Sequence, residues 1–272
     1  MEAKLQRRVQ RYGWDRAAAF YERYWQTQLA PAQAATLDAA RLSPGDSVID
    51  VACGTGLVTF AAAHQVEPGG RVLGSDISAN MVAAAVAAAT DKGISNVSFE
   101  RADAEDLGCE PASFDVAICA LGLMYVPSPK NALREMYEAL GTGGRVSVSI
   151  WGERRNCGWA DIFPIVDRRV ASDVCPMFFA LGAKQSLESV MAEVGFRDAT
   201  TTRIGIDLVY TNDEEALGAA FMGGPVALAY SKFDDAIKHE VHQEYLESIA
   251  EYRDGSGAYR VPGEFVIASG IK

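Results

Sequence analysis

The chain has 272 residues, a formal net charge of −11 and a hydrophobic fraction of 49%. This is the composition of a globular protein, and the acidic balance argues against a nucleic-acid partner, because polyanions are bound by basic surfaces. No apolar run approaches the ~20 residues of a membrane span and no secretory leader is recognised, so we expect a single cytoplasmic domain without a membrane partner.

The cysteines are odd in number and contain no Cys-x-x-Cys pair: there are five of them. This pattern is typical of reduced, structural thiols rather than of a disulfide framework or a zinc site. We therefore expect neither disulfides nor a bound metal.

Helical and extended segments alternate along the first part of the chain. Residues 1–41 are predicted to be helical, with Pro31 starting a second helix, because proline suits a first helical turn. Five short apolar segments predict strands, at residues 47–52, 71–76, 96–100, 114–120 and 145–151. Helices are predicted between them, at residues 55–65, 79–92 (with Ser78 as N-cap) and 129–140. Apolar strands joined by helices predict right-handed crossovers and a doubly wound α/β fold.

Residues 153–272 are less regular than the rest of the chain. A helix is predicted over 185–194, and strands are predicted over 199–210 and 259–271. Between these two strands, residues 212–252 have apolar side chains at helical spacing and are predicted to form a helical insertion.

A glycine-containing loop joins the first predicted strand to the first predicted helix. In the stretch Val-Ile-Asp-Val-Ala-Cys-Gly-Thr-Gly (48–56), Gly54 and Gly56 let the backbone turn sharply and approach a ligand. Asp50 lies within the strand, where a buried acid needs a cationic partner such as an ammonium group. Asp76 ends the second strand, where an acid can accept hydrogen bonds from a ribose diol. Together these groups suit a ligand that contains both an amino acid and a nucleoside.

An NAD-dependent oxidoreductase is the main alternative for such a loop. Its fingerprint is Gly-x-Gly-x-x-Gly, but Thr59 occupies the third glycine position of this chain. The chain also lacks a Tyr-x-x-x-Lys pair. The sequence therefore favours a ligand with an amino acid and a nucleoside over NAD.

Four stretches in order give the chain its resemblance to class I S-adenosylmethionine (SAM)-dependent methyltransferases. They are VIDVACGTG (48–56), GSDIS (74–78), ERADAEDL (100–107) and the segment 114–152 that begins FDVAICALGL. Within that class, residues 47–151 resemble the small-molecule methyltransferases of the ubiquinone and menaquinone biosynthesis type. Ala52 stands where the family usually has the first glycine of the loop.

The resemblance implies SAM as the cofactor and a role for each matched position. Asp50, Ala52, Gly54 and Gly56 would surround the methionine part, with Ala120 beside it near the methyl donor. The ribose and adenine would be held by Asp76, Ile77, Met81, Asp103 and Ala104.

The resemblance also implies an architecture. It is a Rossmann-like, seven-stranded sheet with an antiparallel last strand inserted beside the fifth. Residues 1–41 would form a helical lid, 42–152 the cofactor-binding core, and 153–272 the rest of the sheet with an acceptor-site insertion at 212–252.

Methyl transfer is an in-line displacement for which the protein positions the acceptor and excludes water. If a general base takes part, His239 and His242 in the insertion are the candidates. Aromatic side chains predict an apolar or aromatic small-molecule acceptor for O-, N- or C-methylation, and the main candidates are Tyr21, Trp25, Tyr125, Trp151, Trp159 and Phe163. Further candidates are Phe178, Phe179, Phe221 and Met222. A non-catalytic SAM-binding protein remains a second alternative, and a homodimer is the expected assembly.

Overall fold

A computed structural model describes residues 2–171, 175 and 177–272 of the chain. Its strands, in chain order, are β1 (Ser47–Val51), β2 (Arg71–Asp76), β3 (Val97–Arg101), β4 (Phe114–Ala120), β5 (Leu140–Trp151), β6 (Arg197–Tyr210) and β7 (Tyr259–Ile271). Its α-helices are α1 (Ala3–Ala40), α2 (Leu57–Gln65), α3 (Ala79–Lys92), α4 (Pro129–Ala139), α5 (Ile162–Asp167), α6 (Ser186–Val194), α7 (Asp213–Phe221), α8 (Ala227–Tyr230) and α9 (Asp235–Ser248).

The strands form one seven-stranded sheet in the order β3-β2-β1-β4-β5-β7-β6. Strands β1 to β5 are parallel, whereas β7 runs antiparallel to both β5 and β6. The predicted Rossmann-like sheet with its inserted antiparallel last strand is confirmed. The order reverses between β1 and β4, and the carboxyl ends of these two strands are where such sheets bind ligands.

The prediction that Pro31 starts a second helix is wrong. Helix α1 continues through Pro31 as one helix of 38 residues. Pro31 is exposed, while Leu29, Ala32 and Leu37 are buried on the other side of the helix. A proline inside a helix loses one hydrogen bond, and the continuous burial of this face offsets that loss.

Helix α3 begins as the sequence predicts. The Ser78 hydroxyl accepts a hydrogen bond of 3.1 Å from the backbone N–H of Met81, and the helix ends at Gly93 in the left-handed conformation. Segment 212–252 is helical but is divided into α7, α8 and α9. The first break falls at Gly223, Gly224 and Pro225, residues that do not favour a continuous helix.

Among the helices that the structure describes, none is long and apolar enough to cross a membrane.

Candidate active site

The loop after β1 depends on its two glycines. Gly54 and Gly56 have φ values of 57° and 91°, in the left-handed region that glycine adopts readily. A Cβ atom at Gly56 would also lie 2.8 Å from Cζ of Phe60, which is too close for a real contact. The loop therefore turns tightly into α2 without side chains on the ligand side.

Ala52 adopts the left-handed conformation although it is not glycine, with a φ of 58°. A Cβ atom at Gly122, after β4, would overlap the Cβ of Ala52. The missing side chain at Gly122 thus leaves room for the methyl group of Ala52. This pairing explains how the chain accommodates an alanine at the first glycine position of the loop.

Asp50 is buried within β1, with 1% of its surface exposed. Its Oδ2 atom accepts a hydrogen bond of 2.6 Å from the Thr59 hydroxyl, but its Oδ1 atom has no partner among the described residues. Burial raises the pKa of Asp50 to about 7, and the hydrogen bond from Thr59 opposes that rise. A buried carboxylate oxygen without a partner is unfavourable, so a cation or a hydrogen-bond donor of a ligand would stabilise it.

Asp76 at the end of β2 organises the loop next to it. Its Oδ2 atom accepts a hydrogen bond of 2.9 Å from the Gly54 amide, and its Oδ1 atom accepts one of 2.8 Å from the Ser78 amide. Burial raises the pKa of Asp76 to about 6, while the amide hydrogen bonds lower it. Each carboxylate oxygen keeps a further lone pair for a ligand hydroxyl.

An open cavity lies over the carboxyl ends of β1, β2 and β4. Most of the predicted cofactor-binding residues line it: Ala52, Gly54, Asp76, Ile77, Met81, Asp103, Ala104 and Ala120. The other two predicted residues, Asp50 in β1 and Gly56 at the start of α2, do not line the cavity. The structure therefore brings the predicted cofactor residues together at the switch point of the sheet.

Helix α1 closes this cavity through an ion pair that sequence reasoning did not identify. Nε of Arg7 lies 2.9 Å from Oδ2 of Asp103, and Nη2 of Arg7 lies 2.5 Å from Oε2 of Glu105. Further along α1, Oδ1 of Asp15 accepts a hydrogen bond of 2.7 Å from the Ser78 hydroxyl. No local sequence pattern links these residues, because 96 positions separate Arg7 from Asp103.

A second cavity lies beside the first. Four residues line both cavities: Trp14, Tyr21, Leu121 and Tyr125. The remaining wall of the second cavity consists of Trp25, Leu29, Trp151, Trp159, Gly223, Gly224 and Pro225. Trp14 was missed by sequence reasoning although it belongs to the aromatic cluster of α1, where Tyr21 and Trp25 were identified.

Trp14 packs between the two shared tyrosines. Its ring centroid lies 6.0 Å from that of Tyr21 and 5.0 Å from that of Tyr125, in edge-to-face geometry. Trp159 extends the cluster and contacts both Trp25 and Trp151. An aromatic wall thus continues from the first cavity into the second.

The other predicted acceptor-site and catalytic residues lie outside both walls. Phe163 packs against the wall residue Trp159, with ring centroids 5.9 Å apart, but does not itself line the second cavity. His239 is exposed on α9. Nε2 of His242 lies 2.9 Å from the hydroxyl oxygen of Tyr230, and burial lowers the pKa of this histidine. Neither histidine lines a cavity that joins the cofactor loop.

Phe178, Phe179, Phe221 and Met222 do not line the two cavities either. Phe178 packs against Tyr125, with ring centroids 5.3 Å apart. Phe221 packs against Tyr230 at 5.0 Å. These side chains support the aromatic walls or the insertion from behind.

The sheet order, the glycine loop and the acid that ends β2 together define the Rossmann-like methyltransferase fold. Residues 42–159 match a family described as "Methyltransferase domain". The demethylmenaquinone methyltransferase of Listeria monocytogenes is 32% identical over 55% of this chain and 63% of its own length. The ubiquinone/menaquinone biosynthesis C-methyltransferase of Ectopseudomonas mendocina is 30% identical over 61% of this chain and 70% of its own length.

The chain belongs to the SAM-dependent methyltransferase family, whose members are enzymes that use SAM as the methyl donor. It spans about two thirds of the length of these two relatives. The YcgJ protein of Bacillus subtilis has the same fold, with a TM-score of 0.64 at 16% identity, over 89% of this chain and 98% of that one. Family membership favours the methyltransferase interpretation over the NAD-dependent alternative.

Proposed function

We propose that this protein transfers a methyl group from SAM to a small apolar or aromatic acceptor. The observation that carries the proposal is the junction of the two cavities. One cavity is built from a glycine loop and acids, the other from aromatic rings, and they share Trp14, Tyr21, Leu121 and Tyr125. A donor in the first cavity and an acceptor in the second would meet at these shared residues.

The first cavity fits SAM by the chemistry of its groups. The unpartnered Oδ1 of Asp50 suits the ammonium group of the methionine part, next to Ala52, Gly54, Gly56 and Ala120. Asp76 would accept hydrogen bonds from the ribose hydroxyls. Ile77 and Met81 would pack on the adenine, and Asp103 with the Ala104 amide would contact its edge.

When bound, SAM would supply an electrophilic methyl carbon on a sulfonium. The acceptor's lone pair would bond to that carbon in line with the breaking C–S bond, whose electron pair would leave on the sulfur of S-adenosylhomocysteine (SAH). The chain's own residues position the acceptor and exclude water. Tyr21, Trp25, Tyr125, Trp151 and Trp159 would form the acceptor site, with Phe163 supporting Trp159 from behind. We assign no step to His239 or His242, because neither lines the two cavities.

We also propose a role for each part of the chain, together with its location and assembly. Residues 1–41 would act as a lid, 42–152 as the cofactor core and the insertion at 212–252 as part of the acceptor site, all within a single domain. The position of Gly223, Gly224 and Pro225 in the wall of the second cavity supports that role of the insertion. We also propose that the protein is a cytoplasmic homodimer that uses no metal. The formal net charge of −11 supports the further proposal that it binds no nucleic acid.

SAH formation tests the proposal. The protein would be incubated with SAM and a panel of phenols, quinols and amines, and SAH would be measured by mass spectrometry. Acceptor-dependent SAH together with the methylated product supports methyl transfer. Tight SAM binding without SAH from any acceptor would instead support the non-catalytic alternative.

A further inference from the structure

The wall of the second cavity contains no group suited to remove a proton from an acceptor. Among the described residues of this wall, none is Asp, Glu, His, Lys or Arg. Its ionisable side chains are those of Tyr21 and Tyr125, which are weak acids rather than bases at neutral pH. A hydroxyl-bearing acceptor in this cavity would therefore meet no general base.

The acids of the neighbouring cavity do not fill this role. The oxygens of Asp76 accept the backbone amide hydrogens of Gly54 and Ser78, and their remaining lone pairs are assigned to the ribose hydroxyls of the cofactor. Asp50 is not part of either wall, and its free oxygen is assigned to the ammonium group of the cofactor. Asp103, the remaining acid of that wall, has its Oδ2 atom 2.9 Å from Nε of Arg7, and its Oδ1 atom accepts a hydrogen bond of 3.0 Å from the Glu105 amide. We therefore expect the acceptor to lose its proton without the help of a carboxylate of the protein.

The same wall contains hydrogen-bond donors that have no partner. The hydroxyl groups of Tyr21 and Tyr125 make no hydrogen bond with any residue that the structure describes. Nε1 of Trp159 is buried and also lacks a partner within the described part of the chain. A donor without an acceptor is unfavourable, so a ligand that supplies an acceptor atom to these groups is favoured.

The two tyrosines remain protonated at neutral pH and so remain donors. Burial raises the pKa of Tyr21, and the negative charges of Asp76, Glu22 and Asp50 raise it further. Burial also raises the pKa of Tyr125, with smaller effects from Cys175 and Tyr21. Both tyrosines belong to the walls of both cavities, so an acceptor atom bound at the junction would lie next to these two side chains.

We propose that the second cavity binds its acceptor as an ionised phenol or enol, whose oxyanion accepts hydrogen bonds from Tyr21 and Tyr125. This inference rests on the proposed function and defines its substrate class. The acceptor loses its proton to solvent before it binds, so its own acidity replaces a base of the protein. A positively charged donor in the first cavity supplies the counter-charge.

One bond forms and one bond breaks in the methyl transfer. The ionised oxygen, or a carbon conjugated with it, forms the new bond to the methyl carbon, and the electron pair of the broken C–S bond stays on sulfur. Where carbon is methylated, its proton moves to the ring oxygen by tautomerisation. Tyr21 and Tyr125 are positioning residues, because they hold the oxyanion and exchange no proton.

The test uses 4-nitrophenol as the probe and sinefungin as an unreactive cofactor analogue with a positive charge at the methyl position. The absorbance of bound 4-nitrophenolate would be titrated against pH in the sinefungin complex. We expect the pKa of bound nitrophenol to fall by about one unit or more, since a hydrogen bond to a charged group stabilises it by about 1.5–3 kcal/mol. Tyr21→Phe and Tyr125→Phe should each weaken nitrophenolate binding roughly tenfold.

Tyr12→Phe is the matched control, because Tyr12 is an exposed tyrosine on the same helix, and it should leave the titration unchanged. An unshifted or raised pKa of the nitrophenol, or no saturable signal at millimolar probe, would overturn the inference. Calorimetry with sinefungin separates the two proposals. If sinefungin does not bind, the proposed function fails, and if it binds without a nitrophenol shift, only this inference fails.

Discussion

The hydroxyl group of Thr59 lies 2.6 Å from Oδ2 of Asp50 and donates its hydrogen bond to that oxygen. Thr59 stands where a dinucleotide-binding loop has its third glycine. In this chain the residue at that position holds the buried side chain of Asp50 by one oxygen. The other oxygen, Oδ1, has no partner among the described residues. The threonine that replaces the third glycine therefore positions an acid of the candidate cofactor site.

Cofactor binding should release a proton from Asp50 below neutral pH. Burial raises the pKa of Asp50 to about 7, and an ammonium partner would favour the ionised form and lower that pKa. SAM affinity should therefore rise up to about tenfold per pH unit between roughly pH 5.5 and 7. Calorimetry in buffers of different ionisation enthalpy measures the released proton. An affinity that is flat over this range would contradict the role of Asp50, and Asp50→Asn should abolish the proton release.

The stability of the protein without cofactor should fall as the pH rises from about 4 to 7. Folding raises the pKa of Asp50 to about 7 and that of Asp76 to about 6, so the folded state binds more protons than the unfolded state in this window. The stability that Asp50 and Asp76 contribute is fully present below the pKa values of the unfolded state. It is lost as the pH rises through the pKa values of the folded state. Asp50→Asn should raise the free energy of unfolding at pH 7.5 by about 1–3 kcal/mol. Urea unfolding at several pH values would measure this, and an unchanged or lower stability of Asp50→Asn would count against it.

The ion pair of Arg7 should hold α1 over the cofactor cavity. Arg7→Ala removes the partner of Asp103 and of Glu105, whose side chain is 3% exposed. We expect a loss of about 1–3 kcal/mol of stability, because a nearly buried carboxylate loses its counter-charge. SAM should also dissociate several-fold faster, as stopped-flow fluorescence would show. Arg8→Ala changes an exposed neighbour and is the control, and equal dissociation rates in the two variants would refute the closing role of Arg7.

The glycines of the insertion allow a matched test of the acceptor cavity. A Cβ atom at Gly223 would lie 2.9 Å from Cδ1 of Trp25, whereas one at Gly224 would meet no atom closer than 3.7 Å. Trp25 cannot move freely, because its Nε1 donates a hydrogen bond of 3.2 Å to the carbonyl oxygen of Ala219. Gly223→Ala should therefore lower kcat/KM for the acceptor about tenfold and leave SAM affinity unchanged. Gly224→Ala should resemble the wild type, and a similar loss in both variants would argue against an acceptor site there.

The local features of the fold were predictable from the sequence. The positions of the parallel strands, the Ser78 cap and the loop at Gly54 and Gly56 depend on short-range patterns that are visible in neighbouring residues. The start of β5 is an exception: the strand was predicted from residue 145 but begins at Leu140, which pairs with Phe114 of β4. The position of β7 beside β5 was predicted from the resemblance to methyltransferases and not from a local sequence pattern. The unbroken path of α1 through Pro31 was not predicted, because packing along the whole helix outweighs the local preference of proline.

The parts of the site that depend on distant contacts were not predictable. Arg7 meets Asp103 only because α1 lies across the carboxyl edge of the sheet. Trp14 becomes a shared wall of both cavities for the same reason. Aromatic residues on a helix indicate a buried face, but not which of them border a cavity.

Calorimetry with SAM, SAH and NADH tests the central claim most directly. Asp76→Ala removes the acid at the end of β2. Asp115→Ala is the control, because Asp115 also accepts a backbone amide hydrogen, that of Ser47, but at the opposite end of the sheet. We predict micromolar binding of SAM and SAH that is lost in Asp76→Ala and kept in Asp115→Ala, with no binding of NADH. Binding of NADH without a response to SAM or SAH would contradict the account.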